Sequence, residues 1–476
     1  MMERVTVDIL HECLIEKIVS YLSFKDAAKM SILSKTWLRL WLTHPNVEFK
    51  YPYSGKHYSG EILDPIMDRY RDRKIVIDKF ELSYYNFSYH IIVKWLDIAV
   101  TNGAKYLFFK VHNFSLPIFT ILAGKSLTEL VVECCTLIPV SFSSGMTNCN
   151  SLRKLSLTDV NLDENMIQTL LNCCPLIVSF IVDQCWGSKK IELLNLHKIK
   201  SVYIKNRREL NQLVKIQAPT LEHLTYDGYI LGKLDIVECE NLKSLDISHV
   251  KISHGFLQNL ISGSQSLKDL KIQFCGNIME IDSSNLESLV YMGCKIPKLK
   301  IARESRQLKH LKIVLNCSGS LKAAWFCNLR EFLSNSISCP EVSLDLSQCN
   351  EINLTDLQLH HGVAIPKVGV LNVICRWTDG ECPTFLDALL WSCHPRRLNI
   401  ISKSATFECF INRLIYMKNL SHFSEPWHSQ LKGAQAYIFD DSRSQNRHRV
   451  ELNKEELSIT PDWKWKTVNY YILLDW

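Results

Sequence analysis

The sequence has few of the features that mark membrane proteins, secreted proteins or nucleotide-binding enzymes. No segment approaches the run of about 18 apolar residues that a membrane helix needs, and residues 1–10 mix charged with apolar positions, unlike a signal peptide. The 17 glycines form neither a P-loop nor a Rossmann phosphate loop. We therefore expect no membrane contact, no cofactor and an intracellular location, in the cytoplasm, the nucleus or both.

Concentrated charge of one sign is also lacking. The net charge of +6 is spread over 476 residues and gives only a weak field, with no Lys/Arg run long enough to hold a phosphate backbone. The densest basic cluster, at Lys205, Arg207 and Arg208, is interpreted as a solvated loop. No nucleic-acid partner is expected.

Metal-binding and catalytic signatures are missing despite 18 cysteines and 16 histidines. No Cys-x-x-Cys pair occurs, and neighbouring cysteines such as Cys134 and Cys135 point their side chains apart on a strand. A cysteine nucleophile would need a base that no local motif identifies. We expect no catalytic residue, no metal and a reducing compartment.

What is present is the composition of a folded protein, with 47% hydrophobic and 22% charged residues. The chain of 476 residues exceeds the size at which single cores stop growing. At least two units, or one elongated array, are therefore expected.

Three short amphipathic helices are predicted near the N-terminus. Leu14, Ile18 and Leu22 recur at helical spacing, and a third helix carries Trp37 and Trp41 on one face. Three helices in so few residues make a poor independent core, so their surplus apolar residues are expected to be buried against something else. Physical reasoning leaves two possibilities open: a partner protein, or the rest of this chain.

Residues 10–41 read LHECLIEKIVSYLSFKDAAKMSILSKTWLRLW and resemble the F-box that is common in large plant families. The positions that match the family pattern are Leu14, Ile18, Leu22, Lys25, Asp26, Ala27, Ser31, Leu33, Ser34, Lys35, Trp37, Arg39, Leu40 and Trp41. The resemblance implies that this module binds a Skp-type adaptor and, through it, the cullin and RING subunits of a ubiquitin ligase. The adaptor-facing residues that it implies are Leu10, Leu14, Ile15, Ile18, Leu22 and Leu33.

One position departs from the F-box pattern. The family has a proline after the first leucine, and this chain has His11 there, so a residue that fixes the backbone is lost. We expect weaker adaptor binding at most, because the apolar positions are kept. Trp37 and Trp41 are interpreted as internal packing.

From Leu127 onward one motif returns at a period of roughly 19 to 25 residues, which is typical of leucine-rich repeats. Apolar residues occupy its relative positions one, four and six, and cysteine often occupies position nine. Copies begin at Leu127, Leu152, Ile177, Ile199, Leu221, Leu242, Leu267, Leu286 and Leu308. Each copy places one strand beside the next, so that the apolar residues stack into a continuous core. The position-nine cysteines, interpreted as structural, are Cys135, Cys185, Cys275 and Cys294.

The expected fold class is therefore α/β, a three-helix F-box followed by a leucine-rich-repeat solenoid, which is a horseshoe with a parallel concave sheet. A short helix is predicted over residues 91–99. Residues 427–441, WHSQLKGAQAYIFDD, weakly resemble the closing segment of plant F-box repeat proteins. The expected domains are an F-box at 1–50, a helical or mixed connector at 51–105, the repeat array at 106–425, and a cap or tail at 426–476.

Residues that alternate with the repeated leucines face the concave side of such a sheet, where a protein substrate would bind. Their acidic bias, interrupted by lysines, favours a basic or mixed-charge peptide over a phosphorylated one, because phosphate capture needs clustered arginines. A solvated face without a ligand is the alternative. The candidate substrate-binding residues are Asp183, Tyr203, Asp227, Asp246, Asp269 and Lys271.

Two functions follow from the resemblance. The first is the non-catalytic substrate-recognition subunit of an SCF-type (Skp–cullin–F-box) E3 ubiquitin ligase, whose F-box binds the adaptor while its repeats bind an unknown protein for ubiquitination. The second is a repeat scaffold outside any ligase, with a degenerate F-box. Binding of the adaptor discriminates between them.

Overall fold

A computed structural model gives the arrangement of the chain. It describes residues 10–50, 60–84, 88–138, 149–163, 165–194, 196–206, 208, 211–229, 232–252, 254–276, 280–282, 285–300, 308–317, 321–335, 339–347, 351–358, 364–376, 383–419, 431–439, 448–450 and 467–476. The chain divides into two compact units, Met1–Asn241 (unit 1) and Leu242–Trp476 (unit 2).

Unit 1 begins with helices and continues as strands, with helices between some of them. Its helices are α1 (Glu12–Tyr21), α2 (Phe24–Met30), α3 (Lys35–Leu42), α4 (Gly60–Asp72), α5 (Tyr89–Thr101), α6 (Ile118–Leu122) and α7 (Met166–Cys173). Its strands are β1 (Asn46–Lys50), β2 (Lys79–Tyr84), β3 (Tyr106–Val111), β4 (Ser115–Pro117), β5 (Glu129–Glu133), β6 (Thr136–Ile138), β7 (Lys154–Thr158), β8 (Ser179–Asp183), β9 (Lys190–Leu193), β10 (Ser201–Lys205), β11 (Leu213–Gln217), β12 (His223–Asp227) and β13 (Lys233–Val237).

The first three helices form a small core of their own. Ser23 caps α2 by accepting a hydrogen bond from the backbone of Asp26, and Ser34 caps α3 in the same way. Trp37 lies in this core, and Trp41 packs against it, as the sequence predicted. The buried residues of the core are Ile15, Val19, Ala27 and Trp37.

A parallel sheet is the main element of unit 1. Strands β1, β2, β3, β5, β7, β8, β10 and β12 pair in that order. In strands β5, β8 and β10 every second residue is buried, and these are the repeated apolar residues of the sequence motif. Shorter parallel strands pair separately, β4 with β6 and β9 with β11 and β13. The predicted α/β class with a parallel repeat sheet is confirmed.

The sheet begins earlier than the repeat motif suggested. Strand β1 lies inside the range expected for the F-box, and β2 lies inside the range expected for a connector. Aromatic residues, such as Phe49 in β1 and Phe80 in β2, occupy buried positions that leucine fills in later repeats. The leucine pattern therefore does not predict these strands. The helix predicted over residues 91–99 is present as α5.

Aromatic rings connect the N-terminal helices to this sheet within unit 1. Phe24 of α2 lies 5.8 Å from the ring of Trp41 and 6.0 Å from that of Phe49, measured between ring centroids. Phe49 in turn lies 5.2 Å from Trp95 of α5. The helical module and the first strands therefore share one continuous core.

A buried hydrogen bond strengthens the same junction. His44, between α3 and β1, is buried, and its carbonyl accepts a hydrogen bond of 2.7 Å from the hydroxyl of Tyr70 in α4. One imidazole nitrogen of His44 lies 3.2 Å from the carbonyl of Val19, in α1. Burial also raises the pKa of Tyr70, so its hydroxyl stays protonated and able to donate.

We expect Tyr70→Phe to lower the free energy of unfolding of unit 1 by about 1–2 kcal/mol, because the His44 carbonyl loses a donor inside the core. Urea unfolding followed by tryptophan fluorescence measures the change. The matched control is Tyr21→Phe, which removes a hydroxyl from an exposed ring and should alter stability by less than about 0.5 kcal/mol. Equal effects of the two substitutions would contradict the assigned role of Tyr70.

Unit 2 repeats the same strand arrangement. Its strands are β14 (Ser244–Ser248), β15 (Asp269–Gln273), β16 (Glu280–Asp282), β17 (Ser288–Gly293), β18 (Lys298–Lys300), β19 (His310–Cys317), β20 (Cys339–Leu346), β21 (Lys367–Cys375), β22 (His394–Lys403), β23 (Gly433–Phe439), β24 (His448–Val450) and β25 (Thr467–Asp475). Its helices are α8 (His254–Gly263), α9 (Ala323–Ser334), α10 (Leu354–Gln358), α11 (Pro383–Ser392) and α12 (Ser404–Asn419).

The parallel sheet of unit 2 ends in antiparallel strands. Strands β14, β15, β17, β19, β20, β21 and β22 pair in parallel in that order. Strand β25 then pairs antiparallel with β22, and β23 pairs antiparallel with β25 and β24. Residues of the range expected as a cap or tail thus lie against the last repeat strand. Part of that range, including residues 427–430 and the aromatic Trp463 and Trp465, falls outside the described residues.

Residues with a left-handed backbone end many of the strands in both units. Their φ angles are close to +50°, a conformation that turns the chain out of the sheet and returns the next side chain to the core. The thiol of Cys185, which follows such a residue, donates to the carbonyl of Leu157 at 3.4 Å, and that of Cys275 donates to Ile247 at 3.3 Å. The left-handed residues at strand ends include Cys134, Asp159, Gln184, His249 and Phe274.

The structural interpretation of the position-nine cysteines is correct for three of them and wrong for one. Cys135, Cys185 and Cys275 are buried, whereas Cys294 is exposed. Strand β17 continues through Gly293, which pairs with Leu315 in the neighbouring strand. Because the chain does not make the left-handed turn there, residue 294 points away from the core.

Candidate functional site

An apolar surface covers the N-terminal helices. Among the described residues, seven of the fourteen large apolar side chains that are exposed belong to this short module. Single exposed apolar residues are ordinary, but a concentration of them marks a surface that contacts another molecule. The seven are Leu10, Leu14, Ile18, Tyr21, Ile32, Leu33 and Leu38.

Four of the predicted adaptor-facing residues lie on this surface. Leu10, Leu14 and Ile18 follow one side of α1, and Leu33 lies in the turn between α2 and α3. Leu22 is only partly buried and packs against the internal core of the module. The Leu22 side chain therefore contributes mainly to the packing of the three helices and adds little to the exposed apolar surface.

The prediction that Ile15 faces the adaptor is wrong. Its side chain is 2% exposed and lies in the internal core beside Val19. Residues four apart share a face of a helix, so Ile15 and Val19 point inward together while Leu14 and Ile18 point outward. The family resemblance alone did not separate these two neighbouring stripes of α1.

Three exposed residues were missed by the sequence analysis. Tyr21 is 79% exposed and lies three residues after Ile18, so the helical period of α1 could have identified it. Ile32, at 87%, lies in a turn, where periodicity gives no signal. Leu38 lies on α3, one residue after the buried Trp37.

The residue that replaces the family proline keeps the backbone that proline would impose. His11 has a φ of −59°, which is inside the narrow range of a proline ring. Its carbonyl accepts a hydrogen bond of 2.8 Å from the backbone of Leu14. The substitution therefore removes rigidity from the unfolded chain but leaves the start of α1 in the expected position.

Charged groups on the N-terminal helices form pairs that hold the local geometry. Hydrogen bonds from Lys29 and Ser23 lower the pKa of Asp26, so this carboxylate at the start of α2 remains ionised. Arg39 of α3 forms an ion pair with Glu12 of α1. The second pair connects α3 to α1.

The second candidate site is the face of each parallel sheet opposite the buried leucines, here called the open face. On it, residues of neighbouring strands lie in register, so that side chains form rows across the sheet. In unit 1 one such row carries Asp183, Lys205 and Asp227 on consecutive strands. Tyr203 lies in the adjacent row, opposite Ile181.

The predicted residues of unit 2 also lie on an open face. Lys271 donates to the carboxylate of Asp246 at 2.8 Å, and Asp269 is exposed at the start of the same strand as Lys271. In unit 1 Lys205 lies in register between Asp183 and Asp227, and in unit 2 Lys271 pairs with Asp246, so lysines interrupt the acidic residues on both open faces.

The described part of the chain contains no cluster of three or more His, Cys, Asp or Glu side chains arranged to hold a metal ion. Nor is any helix in these residues both long and apolar enough to cross a membrane.

Comparison with protein families gives matches over three segments of the chain. Residues 8–48 match the F-box domain, and residues 241–264 match the Leucine Rich Repeat. Residues 92–236 match the LRR repeats of the FBD-associated F-box protein At5g56370. The F-box match covers the apolar surface described above, and the longest match covers most of the unit 1 sheet.

Proteins of Arabidopsis thaliana are similar over larger parts of the chain. The F-box/LRR-repeat protein At2g42730 is 22% identical over 365 residues, which are 67% of this chain and 76% of that protein. The putative FBD-associated F-box protein At1g61330 is 22% identical over 408 residues, 82% of this chain and 86% of its own length. The F-box/FBD/LRR-repeat protein At2g26030 is 23% identical over 257 residues, 50% of this chain and 56% of its own.

Proposed function

Since the chain is an F-box/leucine-rich-repeat protein with plant relatives, as the resemblance predicted, we propose that it is the substrate-recognition subunit of an SCF-type E3 ubiquitin ligase. In this role the N-terminal helices bind a Skp-type adaptor, which connects the chain to cullin and RING subunits. An open face of the repeats binds a protein substrate. The chain itself carries no reaction step.

The concentration of exposed apolar residues on the F-box helices carries this proposal. Leu14 and Ile18 are partly exposed on α1, and covering their exposed parts with a second protein contributes roughly 2 kcal/mol to association. Because their neighbours Ile15 and Val19 form the internal core, the surface is presented on a packed module. The backbone of His11 supports the same conclusion, since the departure from the family pattern does not alter the start of α1.

The repeats contribute by proximity. A substrate held on an open face stays near the conjugating enzyme, and its lysines are presented at a high effective concentration. Catalysis then belongs to the partners, and this chain determines which protein is modified.

We expect Leu14→Asp with Ile18→Asp to weaken binding of a purified Skp-type adaptor by the full chain at least tenfold, because two carboxylates replace apolar side chains that the adaptor would bury. Biolayer interferometry measures the affinity. The matched control is Val76→Asp with Val237→Asp, which places the same charges at exposed apolar positions of unit 1 outside the F-box. It should bind as the unchanged chain does.

Thermal melting establishes that both double variants fold. If the unchanged chain binds no adaptor, the ligase proposal is wrong and the repeat scaffold with a degenerate F-box replaces it. If the control loses as much affinity as the F-box variant, the adaptor contacts a different surface.

A further inference from the structure

Lys17 lies in the middle of the outward face of α1. Leu14 precedes it by three residues and Tyr21 follows it by four, so the three side chains share one side of the helix. All three are exposed, whereas Ile15 and Val19, on the other side of α1, are buried in the core of the module. The exposed apolar residues of α1 therefore flank a cation.

This cation is not neutralised within the N-terminal helices. The ion pairs between these helices or inside them join Lys29 to Asp26 and Arg39 to Glu12. Three of the four charged residues that remain are lysines, so the unpaired charge of the module is positive. The exposed charged residues of α1, α2 and α3 that form no ion pair with a described residue are Glu16, Lys17, Lys25 and Lys35.

The position of Lys17 decides what a partner must carry. A protein that covers Leu14 and Tyr21 also covers Lys17, because Lys17 lies between them on the same side of α1. Removing an ammonium group from water without a counter-charge is costly, so the partner is selected for a carboxylate at this place. Glu16 does not supply that carboxylate, since consecutive residues point about 100° apart around a helix.

The lysine side chain is also suited to a mixed contact. Its carbon chain can lie along the apolar residues of the surface while the ammonium group reaches an acidic group of the partner. Charges placed in this way contribute to the choice of partner and to the rate of association more than to the total affinity.

We propose that the F-box surface accepts an adaptor that places a carboxylate opposite Lys17, so that Lys17 selects among Skp-type adaptors by charge. The inference rests on the proposed function, in which an adaptor covers Leu14 and Ile18. Lys17 is not one of the residues that match the F-box pattern, so this contact is a property of this chain and is not implied by the family.

The test measures binding of the full chain to a purified Skp-type adaptor by biolayer interferometry. Lys17→Met keeps an unbranched side chain but removes the charge, and we expect association about threefold slower because the adaptor carboxylate loses its partner. Lys17→Glu replaces attraction by repulsion, and we expect an affinity lower by about tenfold or more. Raising the salt concentration from about 0.1 M to about 1 M should reduce both differences, because the screening length falls from about 10 Å to about 3 Å.

The matched control is Lys125→Glu, which makes the same change of net charge at an exposed lysine in a turn of unit 1 outside the F-box. It should bind the adaptor as the unchanged chain does. A second set of measurements identifies the group opposite Lys17: each exposed Asp or Glu of the adaptor is changed to Lys, one at a time. We expect one of these adaptor variants to bind Lys17→Glu more tightly than it binds the unchanged chain.

The outcomes separate this inference from the proposal on which it rests. If Lys17→Met binds the adaptor as fast and as tightly as the unchanged chain, the inference is wrong, and the lysine serves only to keep exposed apolar residues of different molecules apart. Failure of every adaptor variant to prefer Lys17→Glu would also overturn it. In both cases adaptor binding by the unchanged chain leaves the ligase proposal intact, whereas no binding by the unchanged chain rejects both.

Discussion

Replacing Arg413 with alanine is expected to lower the free energy of unfolding of unit 2 by about 4 kcal/mol, because it leaves a carboxylate buried without a partner. Asp387 of α11 is fully buried, and its two oxygens accept hydrogen bonds of 3.0 Å from Nε of Arg413 in α12. A second nitrogen of the same guanidinium also donates to Asp387. The side chains around Asp387 in α11 are apolar, so water cannot replace the lost donors.

The control for this prediction removes both charges. The double variant Asp387→Leu with Arg413→Met fills a similar volume without leaving an ion, and we expect it to recover most of the lost stability. Thermal melting followed by circular dichroism compares the three chains. A loss of less than about 1 kcal/mol in Arg413→Ala would mean that the carboxylate is solvated in solution.

The second large effect is a dependence of unit 2 on pH. Burial and the nearby charges of Arg330 and Lys367 lower the pKa of His394 to about 4. The imidazole is stacked on the ring of Trp476 at 3.8 Å between ring centroids, which keeps it away from water. The pKa of histidine in the unfolded chain is about 6.5, so acid protonates the unfolded state first.

The direction of the effect follows from this difference. Between about pH 6.5 and pH 4 the unfolded chain binds a proton that the folded chain does not, so stability falls as the pH falls through this range. We expect a loss of about 2–3 kcal/mol at pH 4 relative to pH 7.5, measured by urea unfolding. The His394→Phe variant keeps an aromatic ring on Trp476 but has no imidazole to protonate. The loss of stability caused by His394 between pH 7.5 and pH 4 should therefore be absent in this variant. If both chains weaken equally with acid, carboxylates elsewhere are responsible.

The leucine motif made the parallel strands predictable, because each copy shows its buried positions directly in the sequence. The strands that precede it were not predictable in this way, since Phe49 and Phe80 fill the positions of the leucines and long helical segments interrupt the period. The short strands on the other side of the repeats, such as β9 and β11, carry no fixed motif at all.

The candidate sites were predictable to a smaller extent. Sequence located the F-box and named most of its exposed apolar residues, but it could not tell Ile15 from Leu14 without the packing of the three helices. The acidic residues of the open face were named correctly as facing outward, yet their pairing with lysines depends on strand register.

The aromatic core that Phe24 shares with Phe49 and Trp95 limits how this protein can be divided. A fragment cut after residue 50 would keep Phe24 and Phe49 but lose Trp95, leaving apolar rings in water and a strand, β1, without its neighbour. Such a fragment is expected to aggregate. Gene fusions or truncations that treat the F-box as an independent domain should therefore not fold. An exchange of the repeat region between proteins would need a junction beyond α5.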